Sequence, residues 1–193
     1  MTYAELVAAV AVWLSRSDQT ANIPTFIRTA EARINRELRV REMVGRATAS
    51  VDVEFADLPP DFLAPRSAQM GDRVLNYLTP NDLLNVCAGG PTAYYTVLGS
   101  ELQFAPVPVT VATVQLTYYR RLTPVSDGAT NWLLDNHSDA YLYGSLCEAA
   151  FVTRDDALMA MAEARFQEAK RLIEQGSVAM AGDRLTPIPS TVV

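Results

Sequence analysis

Residues 26–55 read FIRTAEARINRELRVREMVGRATASVDVEF, and a change of period inside this stretch decides the fold class. Phe26, Ile27, Ala30, Ile34 and Leu38 recur at spacings of three and four, the apolar stripe of an amphipathic helix, which the pattern carries to about Met43. Pro24 just before it fits a first helical turn, where the missing N–H removes no hydrogen bond. From Arg46 the period becomes two. Val51, Val53 and Phe55 alternate with polar residues as in a half-buried strand, until Leu58-Pro59-Pro60-Asp61 breaks the run.

On the N-terminal side, Thr2 and Glu5 form a Thr-x-x-Glu capping box ahead of Leu6, Val10, Trp13 and Leu14, which predicts a helix ending near Ser15. On the other side the strand candidates are 73–78, 93–98, 101–104 and 110–121, with Val114, Leu116 and Tyr118 on one face of the last. Gly99-Ser100 lies at hairpin spacing. Thr79-Pro80-Asn81-Asp82 reads as the capped start of a short helix reaching about Cys87, closed by the turn Gly89-Gly90-Pro91. Helical periodicity returns after a loop at 124–131. Trp132, Leu133 and Leu134 precede the capping run 136–139, then come the stripe Leu142, Leu146, Ala149 and Ala150 and the break Thr153-Arg154-Asp155-Asp156. A last stripe runs through Leu158, Ala162, Phe166, Ala169 and Ile173 to a stop at Gly176, and 177–193 should be an extended tail. The expected class is α+β: a helical bundle formed by N- and C-terminal helices (1–45 and 126–176), an inserted antiparallel β-rich module (46–125), and the tail.

Composition narrows function mainly by exclusion. With 193 residues, 49% hydrophobic and 20% charged, the chain can bury a core and does not resemble disordered or low-complexity sequences. A net charge of −6 argues against broad attraction to nucleic acid, and no apolar run has the ~18 residues of a membrane span. Cys87 and Cys147 are far apart, without further Cys or His at metal-ligand spacing, and read as buried thiols.

No catalytic set, cofactor or metal site emerges. His137 is the only histidine; its neighbours Ser138 and Asp139 belong to a helix start, where adjacent side chains point apart, so capping explains them better than a triad. The carboxylates at Asp155, Asp156, Glu163 and Glu168 lack cation-loop spacing. Gly89-Gly90 lacks the Gly-Lys-Ser/Thr that would make a phosphate cradle. Arg28, Arg33, Arg36, Arg39 and Arg41 alternate with Glu31, Glu37 and Glu42, which fits a solvated or subunit-facing helix surface. A nucleic-acid-binding module using the arginines of 28–46 is the alternative, and a hydrolase using His137 a third reading.

The run Asn131-Trp132-Leu133-Leu134-Asp135-Asn136-His137-Ser138-Asp139-Ala140-Tyr141-Leu142-Tyr143-Gly144 closely resembles the Asn-Trp-Leu-Leu, His-Pro-Asp, Tyr-Leu-Tyr signature of tailed-bacteriophage head-to-tail adaptor (connector) proteins. Other pieces fall in the same order. They are Phe26-Ile27 with Ala30-Glu31 and Ile34-Asn35-Arg36, Leu38-Arg39, the run 58–63, Gly90-Pro91, Gly99 to Pro106, Tyr118-Tyr119 and Glu148-Ala149-Ala150. Ser138 stands where the family usually has Pro, and starts a helix equally well.

The resemblance implies a structural protein, not an enzyme. It would form a ring, commonly twelve-fold, beneath the portal, linking the DNA-filled capsid to the tail and lining the DNA channel. Its partners would be the portal protein, tail or nozzle proteins and copies of itself, with double-stranded DNA passing without specific binding and no membrane involved. It would sit at the virion neck after synthesis in the bacterial host cytoplasm. The residues expected to meet partners are Arg28, Arg36 and Arg39 on the helix, and Arg184, Leu185, Pro187, Ile188 and Pro189 in the tail.

Overall fold

A computed structural model describes residues 1–86 and 89–182, with side chains up to residue 178. In chain order the elements are α1 (Tyr3–Leu14), α2 (Ile23–Glu37), β1 (Val44–Val51), β2 (Phe55–Asp57), β3 (Phe62–Met70), β4 (Arg73–Tyr77), α3 (Pro80–Leu83), β5 (Tyr94–Leu98), β6 (Glu101–Ala105), β7 (Ala112–Arg120), α4 (Trp132–Asn136), α5 (Ser138–Thr153) and α6 (Asp156–Gly182). The class is α+β. Two compact units form: Met43–Arg121 holds the sheet, and Met1–Glu42 joins the described part of Leu122–Val193.

In the helical unit α5 packs against α1, α2, α4 and α6. Tyr141, Leu146 and Ala149 of α5 are fully buried, as are Leu6 and Val10 of α1 and Ile27 and Ala30 of α2. Each buried Leu or Ile stabilises by roughly 2 kcal/mol. Gly144 allows α5 to come close to both neighbours, because a Cβ there would stand 3.3 Å from Ala30 Cβ and 3.3 Å from Phe166 Cε2. The capping box forms as the sequence predicts: Glu5 N–H donates to Thr2 Oγ1 at 3.2 Å, and Thr2 N–H to Glu5 Oε2 at 2.8 Å. Ser15 and Arg154 adopt left-handed conformations that end α1 and α5.

Three helix ends differ from expectation; α3 stops at Leu83 and not near Cys87. The second helix stops at Glu37, not near Met43, because Leu38 turns extended and Leu38 and Val40 are both buried with Arg39 exposed between them. Two residues apart on a helix they would point in different directions; in an extended segment they share one face. Arg39 helps close the helix, its Nη1 donating to the carbonyls of Asn35 (2.8 Å) and Leu38 (2.6 Å). The last helix does not stop at Gly176 but runs to Gly182, so 177–182 is helical and not part of an extended tail. Gly176 lacks the positive φ of a helix stop, and Ser177 Oγ accepts from Arg41 N–H at 2.9 Å. An interior Gly costs a helix only about 1 kcal/mol relative to Ala. Residues 183–193, with the five tail candidates, and Cys87 lie outside the described residues.

The sheet unit has seven strands in the order β1-β7-β3-β4-β5-β6-β2. The expected β5–β6 hairpin forms, with Leu98 opposite Glu101 and Gly99 at φ +62°. The module was expected to be antiparallel; β4 and β5 pair in parallel, joined by the crossover that carries α3. Strand β3 was not anticipated from sequence. Pro65 interrupts its reading, and Pro65/Ser67 marks one of two register shifts against β7. Strand β4 reaches only Ala68–Met70 of β3, so Pro65 needs no donor on that side. Edge strands β1 and β2 are consecutive in sequence, so the sheet curls until its two ends meet at residues 52–54. Its core gathers Val51, Leu75, Tyr95, Leu102, Phe104 and Leu116 among others.

Candidate functional site

The signature run 131–144 builds a buried polar clasp where the chain re-enters the helical unit. Asn131 caps α4, its Oδ1 accepting from Leu134 N–H at 3.0 Å. Its Nδ2 donates to Thr123 O at 2.7 Å and to the Tyr141 hydroxyl at 2.8 Å. The Tyr141 hydroxyl donates in turn to Glu31 Oε1 at 2.9 Å. Glu31 is 6% exposed and also accepts from the Val125 N–H. Burial raises its carboxyl above the ordinary range, with the bonds from Tyr141 and Val125 pulling it back. Burial likewise pushes the Tyr141 hydroxyl up strongly. One turn along α2, Asn35 Oδ1 accepts from Leu122 N–H at 2.9 Å. Two side chains of α2, Glu31 and Asn35, and Asn131 at the cap of α4 thereby hold the returning backbone at Val125, Leu122 and Thr123, and Tyr141 of α5 links Glu31 to Asn131. The arrangement positions chain; it presents no reactive group to solvent.

A second cluster ties α2 to α6. Arg33 grips Glu163 with two bonds (Nη1–Oε2 2.9 Å, Nη2–Oε1 2.7 Å), donates through Nε to Glu37 at 2.9 Å, and lies 4.5 Å from the centre of the Phe166 ring. Lys170 completes it with a 3.1 Å bond to Glu37. The Arg33 guanidinium depresses the Glu163 carboxyl to about 2. The buried Cys147 thiol donates to Glu163 Oε2 at 3.5 Å; burial and that carboxylate push it up to about 12, the opposite of what a nucleophilic thiol needs.

The sequence candidates are therefore not brought together. On α2, Arg28 and Arg36 share the exposed face with Thr25, Thr29 and Ala32, while Arg33 turns inward and Arg39 closes the helix end. His137 stands between α4 and α5 with its ring edge-on to Trp132 at 6.2 Å. Among the described residues no group of three His, Cys, Asp or Glu could hold a metal ion, and no helix is long and apolar enough to cross a membrane. Sequence reading missed the roles of Glu31, Asn35 and Arg33. Their signal was present: Glu31 sits between Ile27 and Ile34 on the apolar stripe, where a charge requires a buried partner.

The signature thus forms the spine of the helical unit, and the matching family covers far more than that run: the family model of the SU10 adaptor protein matches residues 1–187. The chain belongs to the SU10 adaptor protein family. This is a family of phage head-to-tail adaptors. No curated protein matches the sequence. In this adaptor, Asn131, Tyr141 and Gly144 of the recognised signature serve internal packing and bonding.

Proposed function

We propose that this adaptor is a non-catalytic ring subunit beneath the portal, joining the DNA-filled capsid to the tail and lining the DNA channel. The observation that carries the proposal is the family match across residues 1–187. In this reading the helices of 1–45 and 126–176 form a bundle that joins subunits, and the β-rich module of 46–125 faces tail or nozzle proteins. Arg28, Arg36 and Arg39 meet neighbouring protein, and the segment with Arg184, Leu185, Pro187, Ile188 and Pro189 meets the portal. The net charge of −6 suits a wall past which double-stranded DNA slides without sticking. The ring is taken as twelve-fold.

Electron microscopy of the purified protein mixed with its portal tests this: a ring of subunits at one end of the portal is expected. Deleting 183–193 should leave α6 and the fold intact while abolishing docking. Portal binding undiminished by that deletion defeats the tail assignment, and absence of any complex with the full chain defeats the adaptor reading.

A further inference from the structure

Exposed charge in this chain is sorted onto separate surfaces. The exposed residues of α2 are all neutral or basic, and Arg28 and Arg36 stand on its open face, about 12 Å apart along the helix axis. The carboxylates of the same helix are turned away, with Glu31 buried against Tyr141 and Glu37 held by Arg33 and Lys170. Arg28 reaches the Thr25 hydroxyl at 3.5 Å, and among the described residues neither Arg28 nor Arg36 meets a carboxylate.

Over β2 and β6 the balance is reversed. Asp57 and Glu101 are both exposed and stand directly opposite each other, a pairing of like charges that costs a sheet stability. Residues 47–65 and 74–119 contain no Lys or Arg, and among the described residues neither carboxylate has an ion pair. Leu102 and Phe104 point into the core, so Glu101 and Gln103 share the outward face of β6, with Asp57 and Phe55 beside them on β2. Gln103 Nε2 donates to Glu54 Oε1 at 2.7 Å, which brings a third carboxylate to that face.

We propose that the open face of α2 in one copy docks on the β2–β6 face of a second copy, setting Arg28 and Arg36 against Asp57, Glu101 and Glu54. Each surface lacks a countercharge in its own chain and finds one on the other. Gln103, which holds Glu54, lies about 7 Å along β6 from Glu101. The long arginine side chains bridge the difference between that spacing and their own. Thr29 and Ala32, exposed between the arginines, are small enough to let the helix approach. Phe55, 38% exposed, offers a ring on which the apolar stem of an arginine packs. The second copy's arginines also relieve the repulsion between Asp57 and Glu101, so the contact returns stability that the isolated sheet gives up. The two surfaces are different, so the contact is head-to-tail and propagates into a ring or a filament. The inference rests on the ring reading above and specifies one contact between neighbouring subunits.

The test is sedimentation velocity of the full chain with charge reversals on each surface. Wild type should associate with rising concentration in about 0.05 M salt and much less in about 0.5 M salt. Arg28→Glu with Arg36→Glu, or Asp57→Arg with Glu101→Arg, should weaken association about tenfold or more, because attraction becomes repulsion. All four substitutions in one chain should restore it. The altered residues are exposed, and the sheet pair remains a pair of like charges, so circular dichroism should be unchanged. Arg28→Ala with Arg36→Ala, which adds no new charge, should weaken association about threefold. No association at about 1 mM in low salt, association by the reversal variants equal to that of wild type, or a folded four-substitution chain that stays monomeric overturns the inference. Reversal variants that form rings on the portal as readily as wild type overturn the inference alone. Charge-dependent association, lost and restored in this way by a protein that ignores the portal, supports it and defeats the adaptor reading alone.

Discussion

Replacing Tyr141 with Phe removes one oxygen from the clasp and should destabilise the helical unit in a pH-dependent way. The hydroxyl donates to Glu31 at 2.9 Å and accepts from Asn131 at 2.8 Å, and all three residues are buried. A bond to an ionised acceptor contributes roughly 1.5–3 kcal/mol and a neutral one roughly 0.5–1.5 kcal/mol, so the expected loss near neutral pH is about 2–4 kcal/mol. The Glu31 carboxyl is already raised above its ordinary 4.5 by burial, and losing the Tyr141 bond raises it further. A carboxyl raised on folding favours the native state in its protonated form. Stability is therefore lost as pH climbs from the unfolded value through the folded one, and more is lost in the variant. At about pH 4, where the carboxyl is largely protonated in both states, the bond is a neutral one and the penalty should shrink to roughly 1–2 kcal/mol. Urea unfolding followed by tryptophan fluorescence measures this cleanly, because the two tryptophans, Trp13 and Trp132, both lie in the helical unit. A penalty equal at both pH values, or below about 0.5 kcal/mol, would refute the role assigned to the clasp.

Glu163→Gln should cost about 1 kcal/mol near neutral pH, a figure discounted for a side chain that is 38% exposed. Because Arg33 depresses the Glu163 carboxyl from 4.5 to about 2, its contribution is present above 4.5 and fades as pH falls towards 2, so thermal unfolding of wild type and variant should converge in acid. Gly144→Val forces α5 away from Ala30 and Phe166 and should destabilise by roughly 1–3 kcal/mol in the same urea assay. Gly176→Ala should stabilise by roughly 0.5–1 kcal/mol, since the position is interior to α6 with open space around it. A loss of stability instead would mean that Gly176 ends the helix in a left-handed conformation.

Where a residue's fate depended on its near neighbours, the sequence was a good guide. Thr2 and Glu5 cap α1, Thr79 caps α3, and Gly99 turns the hairpin, because each satisfies backbone groups within a few positions. Periodicity misled where distant contacts decided the outcome. Residues 38–43 continue the helical stripe in sequence, yet Leu38 and Val40 are drawn into one core in extended form. Strand β3 hid behind Pro65, because whether a proline is tolerated depends on a neighbouring strand that a linear reading cannot place. The clasp was half legible: the 131–144 run stood out, but its partners Glu31 and Asn35 lie about a hundred positions away and looked like ordinary polar residues of a solvated helix.

That the most specific stretch of sequence makes a clasp follows from the way the chain is cut. The helical unit is interrupted at Glu42 and resumed at Leu122, so the whole sheet unit forms a loop whose ends must be brought together before α4 and α5 can dock. Closing a loop carries an entropic cost that grows only slowly with length, which makes a large insertion tolerable provided that something rewards closure. The bonds from Asn35 to Leu122, from Glu31 to Val125 and from Asn131 to Thr123 supply that reward at the first residues after the junction. A partner surface has no such constraint on its internal spacing. An exposed helix face such as that of Arg28 and Arg36 carries no such requirement, while the clasp must keep its geometry for the helical unit to form at all. Recognition of the family through 131–144 therefore reports how the helical unit is closed, and the partners of this adaptor have to be sought on the surfaces that the clasp leaves free.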